Sequence, residues 1–237
     1  MKKEYFQIQG IPTVLLGEPS KNAYLFIHGQ GGCKEEAEAF AEIAGCYCCQ
    51  VLSIDLPEHG ERKEEKDKFT PWHVVPELLT VMEYAKSHWD SIALRATSIG
   101  AWFSMLSFAN ENLKSCLFVS PILDMHQLIQ NMMLWAGVSE DQLQLEQTIP
   151  TSFGQTLSWE YLSYVKKHPI TKWSFPTEIL YGDKDNLTEH KVVENFTRHF
   201  GCRLTIMENG EHWFHTPEQL KVLDEWTTHT ILVQTME

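Results

Sequence analysis

Hydrophobic positions along the chain alternate between short continuous runs and stretches in which apolar residues recur three or four positions apart. The first pattern predicts buried strands and the second predicts helices with one buried face. Tyr5–Gln9 and Thr13–Leu16, joined through Gly10-Ile11-Pro12, predict an opening hairpin. Beyond it, predicted strands alternate with predicted helices. The strands are Tyr24–Ile27, Val51–Ile54, Ser91–Leu94 and Ser115–Val119, and the helices between them are Lys34–Ala44, Trp72–Trp89 and Trp102–Phe108. This alternation is typical of a mostly parallel sheet covered by helices.

The alternation stops after the sixth predicted strand. From 122 to 175 the pattern is helical, with predicted helices at Met125–Ala136, Glu140–Gln147 and Leu157–His168. The stretch is longer than an ordinary connection, and an insertion at a strand end is most simply a cap over the mouth of a site. Alternation then resumes with predicted strands at Thr177–Tyr181 and Arg203–Met207 and predicted helices at Thr188–Phe200 and Pro217–Ile231. We therefore expect a single α/β domain, residues 1–237, with about eight strands and a helical cap at 122–175.

Charge and composition narrow the class of partner. The 237 residues include 32 acidic and 19 basic side chains, a net charge of −13. Such a surface repels nucleic acid and anionic membranes, so we expect neither as a partner. No apolar run is long enough to span a bilayer, and no apolar segment follows Lys2 and Lys3 as a secretory signal would require. A cytoplasmic protein acting on a small molecule is the expectation.

The cysteines do not form a recognisable metal or redox site in the sequence. Cys46, Cys48 and Cys49 contain a Cys-x-x-Cys spacing, but it lies at the end of a predicted helix, whereas a redox motif begins one. A zinc site would need a second pair of ligands, and the other cysteines are scattered singly. We expect reduced, partly buried thiols, in keeping with a cytoplasmic location.

The most informative motif is Ala96-Thr97-Ser98-Ile99-Gly100, between a predicted strand and a predicted helix. A strand that turns sharply into a helix at a serine needs small residues two positions to either side, and it presents the hydroxyl as a nucleophile. Glycine is usual at both flanking positions. Here the first is Ala96, and alanine is the next smallest residue after glycine. A buried structural serine at an ordinary junction is the alternative reading.

A serine nucleophile needs a base and an acid that orients the base. Asp185 follows one predicted strand in Gly182-Asp183-Lys184-Asp185, and His212 follows the next in Gly210-Glu211-His212. Carboxyl ends of parallel strands meet at one edge of a sheet, so we expect both side chains near Ser98. Asp183 and Asp124 remain open as the acid.

Other histidines compete with His212 as the base. His28 precedes a glycine-rich loop and is expected to brace it by hydrogen bonding, and His59 is expected in a mobile loop after the fourth strand. His215 is expected to cap or pack near the last helix. A metal pair formed by His212 and His215 is possible by spacing but has no convincing third ligand.

These motifs, together with His28-Gly29-Gln30-Gly31-Gly32, make the chain resemble the α/β-hydrolase superfamily over nearly its full length. The resemblance implies that fold, and it selects Asp185 over Asp183 because the acid of the family usually stands three residues after the glycine that ends the strand. It also implies an oxyanion hole formed by the backbone amides of Ile99 and Gln30.

The activity that the resemblance implies is hydrolysis of a carboxylic ester through an acyl-serine, with no metal or other cofactor. Thioester, small amide or peptide hydrolysis, acyl transfer, and a non-catalytic binding role remain alternatives. The expected substrate contacts are Gly29, Trp102, Asp124 and Trp213.

Overall fold

A sheet of eight strands forms the centre of the protein in the computed structural model, which describes residues 1–236. The described part of the chain contains ten strands in all: β1 Lys3–Ile8, β2 Ile11–Leu16, β3 Asn22–Ile27, β4 Cys49–Ile54, β5 Ser91–Thr97, β6 Cys116–Val119, β7 Thr148–Pro150, β8 Thr156–Ser158, β9 Thr177–Gly182 and β10 Arg203–Met207. The main sheet has the order β1-β2-β4-β3-β5-β6-β9-β10, with β7 and β8 forming a separate ribbon. Within the main sheet, the pairings of β1 with β2 and of β2 with β4 are antiparallel and the other five are parallel. The predicted fold class, a mostly parallel sheet of about eight strands, is confirmed.

Helices cover both faces of this sheet. They are α1 Ala37–Gly45, α2 Pro71–His88, α3 Ile99–Phe108, α4 Met125–Ala136, α5 Glu140–Glu146, α6 Trp159–Lys167, α7 His190–Phe200 and α8 Pro217–Met236. Within residues 1–236, none of them is long and apolar enough to cross a membrane.

Strand β3 shows why both faces must be covered. Tyr24 and Phe26 pack on the face that carries α1 and α8, whereas Leu25 and Ile27 pack on the face that carries α2, α3 and α7. Successive side chains of a strand point to opposite faces, so a continuous apolar run requires a core on each side. The run therefore places β3 inside the sheet rather than at an edge.

The hairpin turn differs from the prediction. The structure turns at Gln9 and Gly10, with φ of 50° and 88°, and pairs Ile8 directly with Ile11. Positive φ at both central residues is the geometry of a two-residue type I′ turn, which suits the twist of the paired strands. Pro12, predicted in the loop, therefore lies within β2.

The segment between β6 and β9, residues 122–175, is here called the insertion. It contains the three predicted helices, α4, α5 and α6, and also the ribbon of β7 and β8, which was not predicted. Strands of three residues are too short to show an alternating pattern, so their pairing has no local signal. Helices dominate the insertion, as expected, and the ribbon is an addition to them.

The start of α3 approaches the end of β3 so closely that no side chain fits between them. A Cβ atom on Gly100 would lie 2.4 Å from the carbonyl oxygen of His28 and 2.7 Å from that of Ile27. Both obstacles are backbone atoms, one in the last residue of β3 and one in the residue after it, and they cannot rotate away as a side chain could. Gly100 therefore sets the distance between the Ser98 turn and the loop after β3.

We expect Gly100→Ala to lower the free energy of unfolding by about 2 kcal/mol or more, because the added methyl group forces backbone elements apart. Urea denaturation followed by circular dichroism measures the change. Gly45→Ala is the matched control, since Gly45 lies in α1 with no atom within 4 Å of an added Cβ. There we expect no loss of stability. Equal effects of the two substitutions would contradict the proposed close approach.

Candidate active site

Ser98 occupies the turn between β5 and α3 in a backbone conformation that few L-residues adopt. Its φ is 51° and its ψ is −125°. Such a conformation costs about 1–3 kcal/mol and persists only where surrounding contacts enforce it. The Ser98 N–H donates to Val119 O of β6 at 3.0 Å, and its carbonyl oxygen accepts from Ile122 N at 3.1 Å. The neighbouring strand and the residues after it thus hold the turn on both sides.

Three side chains from separate strand ends form a hydrogen-bonded line at this turn. Ser98 Oγ lies 2.8 Å from His212 Nε2, and His212 Nδ1 lies 2.7 Å from Asp185 Oδ2. The side chain of Asp185 is fully buried, and that of His212 is 14% exposed. The structure therefore brings together the three residues predicted as nucleophile, base and acid, with the serine and histidine partly open to solvent.

Both oxygens of the Asp185 carboxylate have partners. Oδ2 faces His212, and Oδ1 accepts from the backbone amides of Leu187 at 2.8 Å and Thr188 at 2.9 Å. Donors of this kind stabilise the ionised carboxylate and fix its orientation. The carboxylate is consequently fixed in position to accept a hydrogen bond from His212 Nδ1.

The two other candidate acids lie elsewhere. Asp183 Oδ2 is 3.8 Å from Lys184 Nζ on the surface. Asp124 is exposed, and its Oδ1 accepts from Gln127 N at 3.0 Å, which caps the N-terminus of α4. In the structure it is Asp185 that contacts His212.

Backbone hydrogen bonds join the loop that carries Asp185 to the loop that carries His212. Lys184 N donates to Gly210 O at 2.8 Å, and Asp183 N donates to Met207 O at 3.1 Å. Residues from two strand ends, far apart in sequence, are thus held in fixed register. The distance between acid and base follows from this backbone contact.

The competing histidines have other partners. His28 is fully buried, and its Nε2 accepts from Leu56 N at 3.0 Å while its Nδ1 donates to Gly29 O at 2.7 Å. Burial lowers the pKa of His28 to about 4, so the ring is neutral at neutral pH. His215 is exposed, with Nδ1 2.9 Å from Trp213 O.

His59 is buried and has contacts on two sides, whereas the sequence suggested a mobile loop. It is only 8% exposed and packs its ring against Phe69 with 4.5 Å between ring centroids. Its Nε2 accepts from Gly31 N at 2.9 Å. The polar residues around it in the sequence gave no sign of this burial, which arises from a contact between two loops.

The two amides expected to form an oxyanion hole lie at the start of α3 and in the turn after β3. Ile99 is the first residue of α3, so its N–H has no acceptor within the helix. Gln30 follows Gly29, at which an added Cβ would lie 3.1 Å from Ser98 Cβ. The glycine-rich turn therefore lies directly against the serine.

The predicted substrate contacts differ in exposure. Gly29 and Trp102 are buried, the latter 2% exposed with its ring stacked on that of Tyr161 at 5.9 Å. Trp213 is 74% exposed and stacks on His215 at 4.6 Å. Tyr161 was not predicted; its hydroxyl is buried, and burial raises its pKa. No hydrogen-bond partner for that hydroxyl occurs in the described chain.

A buried cluster of charges, also not predicted, anchors the loops behind the site. Asp55 is fully buried; its Oδ2 accepts from Lys34 Nζ at 2.8 Å and from Glu61 N at 3.0 Å, and its Oδ1 accepts from Lys34 N at 2.8 Å. Burial opposes ionisation, yet the hydrogen bonds from Lys34 and Glu61 hold the pKa of Asp55 below its usual range. A sequence shows that Asp55 follows a strand, but not that a lysine reaches it.

Arg95 is a further buried charge, on the side of β5 away from the site helices. Its Nη1 donates to Ala96 O at 3.0 Å and to Thr97 Oγ1 at 3.1 Å, and its guanidinium lies 5.6 Å from the ring centroid of Phe26. Burial lowers its pKa to about 9. Arg95 therefore supports the end of β5 immediately before Ser98.

Neither a family model nor a curated protein sequence matches the chain. Solved structures do match it. Est1E from Butyrivibrio proteoclasticus, in its structure with ferulic acid, is 20% identical with a TM-score of 0.80, over 99% of this chain and 100% of that one. Alpha/beta hydrolase domain-containing protein 10 from mouse is 11% identical with a TM-score of 0.77, over 100% of both chains.

A soluble variant of monoglyceride lipase from Saccharomyces cerevisiae is 12% identical with a TM-score of 0.67, over 98% of this chain and 94% of that one. At such low identity these similarities concern the fold. TM-scores of 0.67 to 0.80 over at least 94% of each chain identify it: the chain has the α/β-hydrolase fold.

Proposed function

We propose that the protein is a serine hydrolase that cleaves a carboxylic ester of a small molecule through an acyl-serine intermediate. The observation that carries the proposal is the line of hydrogen bonds from Asp185 through His212 to Ser98, at 2.7 and 2.8 Å. Nucleophile, base and orienting acid at such distances form the arrangement that activates a hydroxyl.

In the acylation step, Ser98 Oγ attacks the carbonyl carbon of the ester while its proton passes to His212 Nε2. Asp185, ionised and held by two amides, accepts the Nδ1 proton in a hydrogen bond and stabilises the imidazolium. The carbonyl oxygen gains negative charge and accepts from the amides of Gln30 and Ile99. As the bond to the alkoxy group breaks, His212 returns the proton to the departing alcohol.

Deacylation uses the same residues. His212 removes a proton from a water molecule, and the resulting nucleophile attacks the acyl carbon. The tetrahedral intermediate collapses with the proton going back to Ser98 Oγ, which releases the carboxylic acid. The sequence of steps needs no redox partner and no metal.

The insertion is proposed as the cap of this site. Gln30 Nε2, beside the proposed oxyanion amide, lies 3.5 Å from Gln155 Oε1 in the turn of the ribbon. Tyr161 of α6 stacks on Trp102, which stands one helical turn after Ser98 on α3. Both contacts bring the insertion over the Ser98 turn, so its side chains would surround the acyl group. The buried Tyr161 hydroxyl would then be free to bond a polar atom of the substrate.

An ester is the favoured substrate because a monoglyceride lipase is among the structural neighbours and because an ester needs no protonated amine as leaving group. Thioesters, small amides or peptides, and transfer of the acyl group to an alcohol or amine use the same three residues. A non-catalytic role would not account for the hydrogen bond between Ser98 and His212 or for the strained backbone at Ser98.

We expect a fluorophosphonate probe to label the folded protein once, on Ser98, because only an activated serine attacks phosphorus at a useful rate. Ser98→Ala should abolish labelling and lower ester hydrolysis by at least about 1,000-fold. Ser87→Ala, an exposed serine on α2, is the control and should label as the wild type does. Peptide mapping by mass spectrometry locates the adduct, and a folded protein without an adduct on Ser98 would refute the catalytic proposal.

We expect p-nitrophenyl esters to be hydrolysed faster than aryl thioesters and aminoacyl amides of the same acyl group. Initial rates over a series of chain lengths, with and without an added alcohol, measure both preferences. A higher kcat/KM for the thioesters or amides would reassign the substrate class. An acyl-alcohol product in excess of the free acid would reassign the reaction to transfer.

We expect Asp185→Asn to lower kcat by about 10,000-fold, because an amide cannot stabilise the imidazolium and favours the wrong tautomer of His212. Asp124→Asn is the matched control. Asparagine also caps helices, so we expect a change of no more than about threefold. Steady-state kinetics at pH 7.5 compare kcat of the two variants, and circular dichroism verifies that both are folded. A larger loss in Asp124→Asn than in Asp185→Asn would show that the acid is misassigned.

A further inference from the structure

One peptide joins the Ser98 turn to the loop that carries Asp185. Its carbonyl oxygen, Pro121 O, accepts from Thr188 Oγ1 at 3.0 Å, and its N–H, on Ile122, donates to Ser98 O at 3.1 Å. The peptide is trans, and in a planar trans peptide the carbonyl and the N–H point in opposite directions. One side of this rigid unit therefore bonds the loop of the acid, and the other side bonds the turn of the nucleophile.

Thr188 is held through each of its polar groups. Its hydroxyl donates to Pro121 O, its carbonyl oxygen accepts from the Tyr181 hydroxyl at 2.8 Å, and its N–H donates to Asp185 Oδ1 at 2.9 Å. The residue is only 4% exposed. Its partners lie on β9, after β6 and in its own loop, so the contacts approach it from separate parts of the fold.

These contacts fix the amide nitrogen that bonds the carboxylate. The substituents of a tetrahedral Cα keep nearly constant angles to one another, so the side chain and the carbonyl group of Thr188 together determine where its nitrogen lies. That nitrogen is thereby held against Asp185 Oδ1, beside the amide of Leu187. Because Oδ1 is occupied by two donors, Oδ2 is the oxygen that faces His212 Nδ1.

We propose that Thr188 is a positioning residue for the acid: by bonding the Pro121–Ile122 peptide, its hydroxyl sets where the Asp185 carboxylate lies relative to Ser98. The proposal rests on the proposed function for the roles of the acid and the nucleophile. Residues 185–188 contain neither helix nor strand, so no ladder of backbone hydrogen bonds holds them in place. Contacts of side chains with neighbouring segments must do so.

The position of the carboxylate matters because the base lies between acid and nucleophile. His212 bonds Asp185 through Nδ1 and Ser98 through Nε2, so a displaced carboxylate turns the ring away from the serine. A misplacement of about 1 Å can cost about 100-fold in rate. Thr188 bonds the acid rather than the substrate, so its loss should lower kcat and leave KM nearly unchanged.

Valine and serine at position 188 separate the hydroxyl from the rest of the side chain. Valine has nearly the same shape as threonine but leaves Pro121 O without its donor, whereas serine keeps the donor and loses only a methyl group. Thr13→Val is the matched control. Thr13 is 1% exposed on β2, and its Oγ1 also donates to a backbone carbonyl, Ile11 O, at 2.9 Å. Both valine variants should lower the urea concentration at half-unfolding, since each leaves a buried carbonyl without that bond.

We expect Thr188→Val to lower kcat by about 10-fold, with KM within about threefold of the wild type. Thr188→Ser and Thr13→Val should each retain kcat within about threefold. Steady-state kinetics on p-nitrophenyl esters, at a urea-free temperature where all variants are folded, measure both constants. An equal loss of kcat in Thr13→Val, or a serine variant as impaired as the valine variant, would overturn the proposal.

Tyr181→Phe tests the same arrangement without altering Thr188, and it serves if Thr188→Val does not fold. The substitution removes the hydroxyl that donates to Thr188 O and keeps the ring. We expect kcat to fall by about three- to tenfold, again with little change in KM. Wild-type kinetics in this variant would show that the position of Thr188 does not govern the acid.

A measurement on the resting protein keeps this proposal distinct from the proposed function. The nitrogen and proton chemical shifts of the His212 Nδ1–H group, measured by NMR, report its hydrogen bond to Asp185. They should agree in the wild type, Thr188→Ser and Thr13→Val and differ in Thr188→Val. This result is expected even if no ester, thioester or amide is hydrolysed, which would refute the proposed function alone. Unchanged shifts in Thr188→Val would refute the role of Thr188 alone.

Discussion

The strained backbone at Ser98 is the constraint on which the rest of the site depends. A φ of 51° lifts the serine out of the sheet, and contacts from outside the segment hold that conformation. It is held by β6 through Val119 O, by the amide of Ile122, and by the close approach of Gly100 to the His28 carbonyl. The cost of the turn is therefore offset by packing and hydrogen bonds of the central strands, where the structure is most rigid.

The parallel sheet brings the other residues of the candidate site to the Ser98 turn. Because the carboxyl ends of β3, β5, β9 and β10 meet at one edge, the loops that follow them converge around Ser98. Hydrophobic burial on both faces fixes the strands, but it does not fix the loops. Polar contacts do so: the amides that hold Asp185, the bond between Lys184 and Gly210, and the buried Lys34–Asp55 pair.

Much of the fold could be predicted from the sequence because its elements carry strong local signals. Apolar runs and helical repeats located the main strands and most helices, and β10 and α4 begin and end where they were predicted. The glycine-rich and Ser98 motifs placed the candidate site at strand ends, since turns of that sharpness admit few residue types. The ribbon of β7 and β8 was not predicted because strands of three residues are too short to show a periodic pattern. The burial of four polar side chains was not predicted either, because a polar residue is expected to be exposed unless its partners are known. These residues are Lys34, His59, Arg95 and Tyr161.

The sequence by itself determined the order of strands and helices, the place of the Ser98 turn, and three candidate residues in separate loops. The local pattern left Asp183 and Asp124 open beside Asp185, and only the family resemblance favoured Asp185 over Asp183. Only the tertiary structure decided which carboxylate meets His212, which histidine holds the glycine-rich turn, and which charges lie buried behind it. The physical reason is that hydrophobic patterning acts over neighbouring residues, whereas a hydrogen bond of 2.7 Å between residues 27 positions apart exists only once the strands that carry them have packed.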